Sequence, residues 1–420
     1  MADKFRSIVF DQSRCLGCTH CMRKCPTQAI RVRDGKAYVN YDRCISCGNC
    51  VRACPSHAIT TRFDTFDILN GYKYKVALMP SVFYAQFPHI NEPELVLNSL
   101  HNIGFDYVFE VARAADMLSL LKREMFIVGD VKTPVISTVC PACVELILTK
   151  YQCLRDNLID DLPPLLLAAK MARDEVKKLT GLKDKDIGVF YLSPCPAKVR
   201  AIKSGSYSQT GDLNGAIAVS EVVKKLNLVD IKDVVIKDEI KASQMGIAWS
   251  TSGGEASNLP NIRQLAADGI DNVVSILREL EDGKLSNIDF VELHACPGGC
   301  VGGVFNVINT FVAKSKIHSL RRTVLQNKTN TTDKIDKPIS YYKIPWKWQT
   351  TDLYTLDKKL PVALQKMAEV EKILKKLPRK DCGICGSPTC RALAEDIVQG
   401  KATESMCLVN RYFDENNKTD

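Results

Sequence analysis

No uninterrupted apolar run in this chain of 420 residues approaches the roughly 18 residues that cross a bilayer. The opening Met-Ala-Asp-Lys-Phe-Arg is charged and lacks the apolar core of a secretory signal. These absences set aside a membrane partner and an export route, and the expectation is a cytoplasmic protein. In that compartment thiols stay reduced, so clustered cysteines point to metal more often than to disulfides. Nor is the bulk composition skewed. Hydrophobic residues make up 45% and charged residues 25%, the balance of a globular chain long enough for roughly two to four domains.

Cysteine is what the chain has in excess. Of 18 cysteines, 16 fall into four sets of four. Cys15, Cys18, Cys21 and Cys25 are followed by Cys44, Cys47, Cys50 and Cys54, each set ending in Cys-Pro. Cys140, Cys195, Cys296 and Cys300 are scattered through the middle, and Cys382, Cys385, Cys390 and Cys407 close the chain. Three cysteines at i, i+3 and i+6 can wrap one iron–sulfur cube while a fourth reaches the neighbouring cluster. Zinc takes four tetrahedral ligands and does not explain this spacing twice, although it remains an alternative for the last set. Cys143 and Cys153 are left over; Cys153 reads as structural.

The formal charge of +9 counts cysteine as neutral. A cubane core of about +2 held by four thiolates carries about −2, so four sites would contribute roughly −8 and leave the protein near neutral. The case for a nucleic-acid partner falls with that correction. The runs Lys314–Arg322 and Lys372–Lys380 read as solvated faces, with docking of an acidic redox partner as the other reading.

Residues 5–60 form an internal repeat, each half a short strand, a cysteine loop and a helical turn entered after Cys25-Pro26 or Cys54-Pro55, with a strand Ala37–Val39 between. From about Tyr72, apolar strands alternate with amphipathic helices. Strands are expected at Lys75–Met79, Pro134–Thr138, Ile187–Leu192, Ala216–Val219 and Asp289–Leu293, and helices at Leu162–Leu179 and Asn261–Leu280. This is the pattern of an α/β domain with parallel pairing. Three middle cysteines follow strands, and ligand sites of open α/β sheets collect at strand carboxyl ends, so distant segments can converge there. Residues 324–340 read as a loop. A helix Leu360–Leu377 carries an apolar stripe at Leu360, Leu364, Met367, Val370, Leu374 and Leu377, and Pro378 stops it.

The N-terminal segment resembles a bacterial two-cluster ferredoxin. That pattern implies one 4Fe–4S cluster on Cys15, Cys18, Cys21 and Cys54 and another on Cys44, Cys47, Cys50 and Cys25. Cys382-Gly-Ile-Cys385-Gly-Ser-Pro-Thr-Cys390 with Cys407 is similar to a small single-cluster domain of anaerobic electron-transfer proteins. Gly383 and Gly386 would let backbone amides approach cluster sulfurs. The middle cysteines sit in Ser137-Thr-Val-Cys140-Pro-Ala, Leu192-Ser-Pro-Cys195-Pro-Ala-Lys198 and Phe290-Val-Glu-Leu-His-Ala-Cys296-Pro-Gly-Gly-Cys300-Val-Gly-Gly303. Over roughly residues 70–320 these resemble the signature motifs of FeFe hydrogenases. The resemblance implies that Cys140, Cys195, Cys296 and Cys300 hold a cube and that Cys300 bridges to a diiron unit carrying carbon monoxide, cyanide and a dithiolate. It places Lys198 against one cyanide and Pro80-Ser81 against the other, and it gives Gly298, Gly299, Gly302 and Gly303 the close backbone approach.

The chain departs from that family at the proton route. The cysteine that usually precedes the first cube ligand is Val139, which transfers no proton. After Ala115-Asp116, Lys122 and Met125 stand where two acids are usual. Asp161-Leu-Pro-Pro164 replaces the segment of the usual relay serine, and His294 replaces the usual methionine. Cys143, Glu255 and His294 are the candidates for a replacement route, against a bland reading of Cys143 as a buried small hydrophobe and Glu255 as a helix N-terminal acid.

The expected organisation is a ferredoxin-like α+β domain at 1–62, an α/β hydrogenase-type H-cluster domain at 70–323, a linker at 324–358 and a small helical 4Fe–4S domain at 359–420. The resemblance implies reversible, slow H2 activation suited to the sensory branch of the family. Its partners would be H2, protons, a redox partner such as a signalling kinase or phosphatase, and maturation factors for the diiron unit. The rivals are an iron–sulfur relay or assembly protein without the diiron unit, and a fast catalytic subunit of an electron-transfer complex.

Overall fold

The computed structural model describes residues 5–129, 131–227, 234–326 and 335–411. The chain divides into two compact units. One comprises Arg62–Gln349 with Met1–Ser7 and Ser46–Gly48; the other comprises Ile8–Ile45, Asn49–Thr61 and Thr350–Asp420. The ferredoxin-like and C-terminal cysteine segments, expected as domains at opposite ends, thus contribute to the same unit.

In that smaller unit, β1 (Ile8–Phe10) precedes α1 (His20–Arg23), β2 (Ile30–Arg33), β3 (Lys36–Val39), α2 (Asn49–Ala53) and β4 (Ile59–Thr61). β1 pairs antiparallel with β4, and β2 forms a hairpin with β3 across the positive-φ pair Asp34-Gly35. The repeat is written into the backbone. Gly17 and Ser46, Thr19 and Gly48, and Gln28 and His57 occupy equivalent places in the two halves, and all six have φ above zero. The helical turns lie before each Cys-Pro rather than after it, correcting the sequence expectation. The i, i+3 wrap of the loop is itself helical, and proline ends it because it lacks an N–H and clashes with the preceding turn.

The larger unit continues with β5 (Tyr74–Met79), α3 (Pro93–Ser99), β6 (Tyr107–Glu110), α4 (Val111–Val128), β7 (Val135–Ile136), α5 (Pro141–Lys150) and α6 (Pro164–Thr180). Then come β8 (Ile187–Ser193), α7 (Pro196–Ser204), β9 (Gly215–Ala218), α8 (Val219–Leu226), α9 (Gln244–Ala248), β10 (Gln264–Asp268), α10 (Ile270–Glu281), β11 (Phe290–His294) and α11 (Thr310–Gln326). Two parallel sheets result, in the orders β6-β5-β8-β9 and β10-β11-β7. β8 is buried at every position, as a parallel strand covered on both faces must be. The expected helix Asn261–Leu280 is instead an edge strand and a helix, broken at Gly269, whose φ of 80° ends the strand before α10 begins. Lys314–Arg322 lies on α11, which buries Ala313, Ile317, Leu320 and Val324 and turns the other face outward. That helix runs into the loop expected at 324–340, of which residues 327–334 lie outside the described residues.

The smaller unit closes with α12 (Leu360–Lys376) and α13 (Cys390–Val398). The stripe on α12 is used only in part. Val370 and Leu377 are buried with Leu393 and Cys407, whereas Leu360, Leu364 and Met367 stay exposed.

Candidate metal centre

Three loops at strand carboxyl ends deliver the scattered cysteines. Cys140 and Cys195 are the N-cap residues of α5 and α7, each followed by proline at the first helical position. Proline there loses no hydrogen bond, and the helix N-terminus favours a thiolate. Cys296 and Cys300 lie in the glycine-rich loop after β11. Gly298 and Gly299 have φ of 76° and 94°. A Cβ on Gly299 would stand 2.6 Å from the Ser252 amide, one on Gly302 2.0 Å from the Pro297 carbonyl, and one on Gly303 2.3 Å from the Pro194 carbonyl. These contacts pack the loop onto Ser252 and onto Pro194, the residue before Cys195.

The four thiols interact electrostatically. Cys195 is within reach of Cys296 and Cys300, and Cys300 of Cys140. Burial pushes the Cys195 thiol up to about 12, with its cysteine neighbours adding to the rise against Lys198. Burial also raises Cys300, but the Lys198 ammonium and a hydrogen bond from His294 outweigh it and hold that thiol below its ordinary value. The Lys198 ammonium stands 3.4 Å from Cys300 Sγ and 3.4 Å from the Tyr191 hydroxyl. Four convergent soft thiols with a buried cation beside one of them suit an anionic iron–sulfur centre. Pro80 and Ser81 follow β5 at the same end of the sheet, where the turn Ser81–Gln86 packs against Cys300–Gly302. Tyr207, which sequence reasoning missed, is buried within electrostatic reach of Cys140, Cys195 and Lys198, and its hydroxyl has no partner among the described residues.

Val139 is buried in the apolar cluster shared by α4, α6 and β8. Beside it, Cys143 donates to Cys140, which lowers the Cys140 thiol to about 5 and raises that of Cys143. Glu255 does open a helical turn, Ala256–Asn258, but its carboxylate is buried and makes no capping hydrogen bond to it. It is 1% exposed and pairs with the Lys122 ammonium, itself 3% exposed, while Ser137 donates to its other oxygen. Lys122 also sits 4.5 Å from the centroid of the Trp249 ring. Burial pushes the Glu255 carboxyl up from its ordinary value, and the nearby Glu292 adds to the rise against Lys122 and Ser137. Glu292, fully buried, accepts from the amides of Gly253 and Ala256 at 3.0 and 2.8 Å and contacts His294 Nε2 at 2.8 Å. His294 in turn hydrogen-bonds Cys300. Sequence reasoning passed over Glu292 and Ser137; the available signal was a carboxylate inside a strand whose every other position is hydrophobic or follows into the cysteine loop. Cys153 is exposed and donates to Glu281 at 3.5 Å.

In the smaller unit Cys15, Cys18, Cys21 and Cys54 line one cavity. Burial raises the Cys21 thiol to about 12, and the charges of Cys15, Cys18 and Cys54 add to it. Backbone amides of Ala29 and Ala58 donate to Cys25 and Cys54 at 3.2 and 3.3 Å, the same contact in each half of the repeat. Of the second ferredoxin set, Cys25, Cys44 and Cys50 pack against the core of this unit, whereas Cys47 belongs to the larger one. Cys385 is within electrostatic reach of Cys382 and Cys407, and Cys390 opens α13 after the Thr389 cap.

Three family models match separate segments of the chain. The model for the iron only hydrogenase large subunit, C-terminal domain, matches residues 75–259 and 206–304; a 4Fe-4S dicluster domain matches 7–55, and an Fe-S cluster model matches 377–409. The NADP-reducing hydrogenase subunit HndD of Solidesulfovibrio fructosivorans is 22% identical over 49% of this chain and 44% of its own length. Iron hydrogenase 1 of Clostridium pasteurianum is 22% identical over 55% of the chain and 49% of its own length. The chain thus spans about half the length of the curated relatives it matches. A solved [FeFe]-hydrogenase, HydA(deltaEFG), aligns with 64% of the chain and 90% of its own at 16% identity and a TM-score of 0.49.

Proposed function

The chain belongs to the iron-only hydrogenase family, and on that footing we propose that it activates H2 reversibly but slowly and that its redox state is read by a partner. The reading assigns Cys140, Cys195, Cys296 and Cys300 to the cube of an H-cluster, and the remaining twelve paired-up cysteines to three further 4Fe–4S clusters. A diiron unit bound through Cys300 and carrying carbon monoxide, cyanide and a bridging dithiolate would supply heterolytic H2 cleavage. Lys198, with Pro80 and Ser81, would orient its cyanides, and maturation factors would insert it. The electrons would leave for a redox partner, with a signalling kinase or phosphatase as the expected reader.

The observation that carries slow turnover is the surround of Val139. At the place where a proton must leave, this buried side chain offers none of the protonatable groups that general acid–base catalysis needs. Such help is commonly worth roughly 10²–10⁴-fold. The alternatives are Cys143, hydrogen-bonded to Cys140, and Glu255, a buried carboxyl held by Lys122 and Ser137, with Glu292 and His294 linking its surroundings to Cys300. Lys122 and Glu255 thus depart together from the family's usual acid and apolar residue, and they do so as a pair. Met125, which stands at the second of the two usual acid positions, packs against a separate apolar cluster.

Infrared spectroscopy of the matured protein tests the reading. Carbonyl and cyanide bands that respond to H2, together with slow H2 uptake, are expected. A protein that takes up iron and sulfide but shows no such bands after maturation is instead an iron–sulfur relay.

A further inference from the structure

The hairpin β2–β3 alternates Ile30, Arg31, Val32, Arg33. Strand side chains alternate between faces, so Ile30 and Val32 enter the core of the ferredoxin-like segment while both arginines emerge on the opposite face. Taken with its own segment alone, that face would be solvated. Instead the C-terminal cysteine loop lies on it. The Val32 amide donates to the Gly386 carbonyl at 2.9 Å. Gly386 has φ of 75°, and a Cβ there would stand 1.8 Å from the Val32 carbonyl. A Cβ on Gly383 would stand 3.1 Å from the Met22 methyl, next to Cys21. Gly386 is therefore required by its contact with the hairpin.

Arg33 fastens the loop. Its guanidinium donates to the Cys385 carbonyl at 3.1 Å, to Ser387 Oγ at 2.9 Å and to Asp396 Oδ2 at 3.0 Å. Ser387 is fully buried and also donates to Asp396 at 3.2 Å. Asp396 is shared, since Arg31 holds it through both oxygens at 2.6 and 3.1 Å. Two guanidiniums on one carboxylate leave positive charge facing the cysteine loop, in a site where Arg33 and Asp396 are 19% and 11% exposed. Glu395 interacts with Arg43 and Arg391 before Arg31, whereas Arg33 lies within electrostatic reach of the Cys385 thiol. A planar, permanently charged fork fixed by three acceptors is a rigid source of potential.

We propose that Arg33 is a positioning residue for the C-terminal cysteine loop: it pins Cys385 to the ferredoxin-like hairpin and stabilises the reduced form of the cluster held there. The proposal rests on the assignment of Cys382, Cys385, Cys390 and Cys407 to a 4Fe–4S site. Adding one electron makes such a site more negative, so a fixed cation beside it raises its reduction potential.

The full-length protein, loaded with iron and sulfide, is titrated electrochemically under electron paramagnetic resonance, and Cys385→Ala identifies the C-terminal signal by its loss. Arg33→Gln is expected to keep its iron and to lower the reduced-to-oxidised ratio of that signal about tenfold at fixed potential, or about 59 mV for one electron. Arg31→Gln, which removes a charge but no contact to the loop, should shift it less, and the signals of other clusters should stay in place. An unmoved C-terminal potential in Arg33→Gln, or equal shifts in both variants, overturns the proposal. Should Arg33→Gln shed iron, Arg33→Lys decides: a potential near the parent's supports it, and a fall overturns it. If Cys385→Ala loses neither iron nor any signal, the cluster assignment fails, and the proposal with it.

Discussion

The scattered cysteines of the larger unit and the looped cysteines of the smaller one solve the same problem in opposite ways. In a loop such as Cys15–Cys21, three ligands come from one short wrap whose kinks recur at equivalent positions of the repeat. The loop makes the site, and the surrounding fold adds amide donors such as those of Ala29 and Ala58. In the larger unit the fold makes the site. Two helix N-caps and one glycine loop, borne on two sheets, bring the four cysteines together. A site assembled by the fold is surrounded by side chains from many elements, which leaves room for Lys198, Tyr207, His294 and the Glu255–Lys122 pair. Chemistry beyond electron storage belongs where such variety is available.

The sharpest way to break this comparison is Cys300→Ala. H2 uptake and carbonyl bands should vanish, while the iron of the smaller unit remains; measurable uptake in the variant would mean that reactivity does not depend on the scattered set. Next in size is the proton route. Glu255→Gln should lower H2 oxidation by about 10²-fold with iron content unchanged, and Val139→Cys should raise it by a comparable factor. The double variant Lys122→Met/Glu255→Gln separates proton transfer from the cost of a stranded ammonium, because a rate restored to the parent's would rule out Glu255 as a carrier. The smallest effect concerns the looped side. Gly386→Ala should destabilise the smaller unit by about 1–3 kcal/mol through the clash with Val32 and the strained φ. Calorimetry reads it as a shift of that unit's melting, and a shift in the larger unit instead would contradict the division into two.

The same contrast explains what could be read from the sequence. The looped sets were legible because spacing is their geometry. The strands were legible where they are continuously apolar, as in β5 and β8, and illegible at β10, whose Gln-Leu-Ala-Ala-Asp reads equally well as helix. The scattered cysteines were legible as a set from their local motifs. Their surroundings were not, because Lys122 and Glu255 stand 133 residues apart and neither carries a sign of the other. Arg31 and Arg33 went unread for a different reason: the alternation Ile30-Arg31-Val32-Arg33 puts both on one face of a strand, and only the packed chain shows that another segment covers that face.

The buried pair has a consequence for how such a protein can change. Lys122→Glu alone would bury two like charges side by side, and Glu255→Leu alone would strand an ammonium among Trp249 and Phe290. Removing one partner of a buried pair typically costs about 3–5 kcal/mol, out of a total stability of about 5–15 kcal/mol. Each single step therefore leads toward a poorly folded intermediate. The two positions form one heritable unit, and a lineage that has acquired the pair is held to it unless both positions change at once.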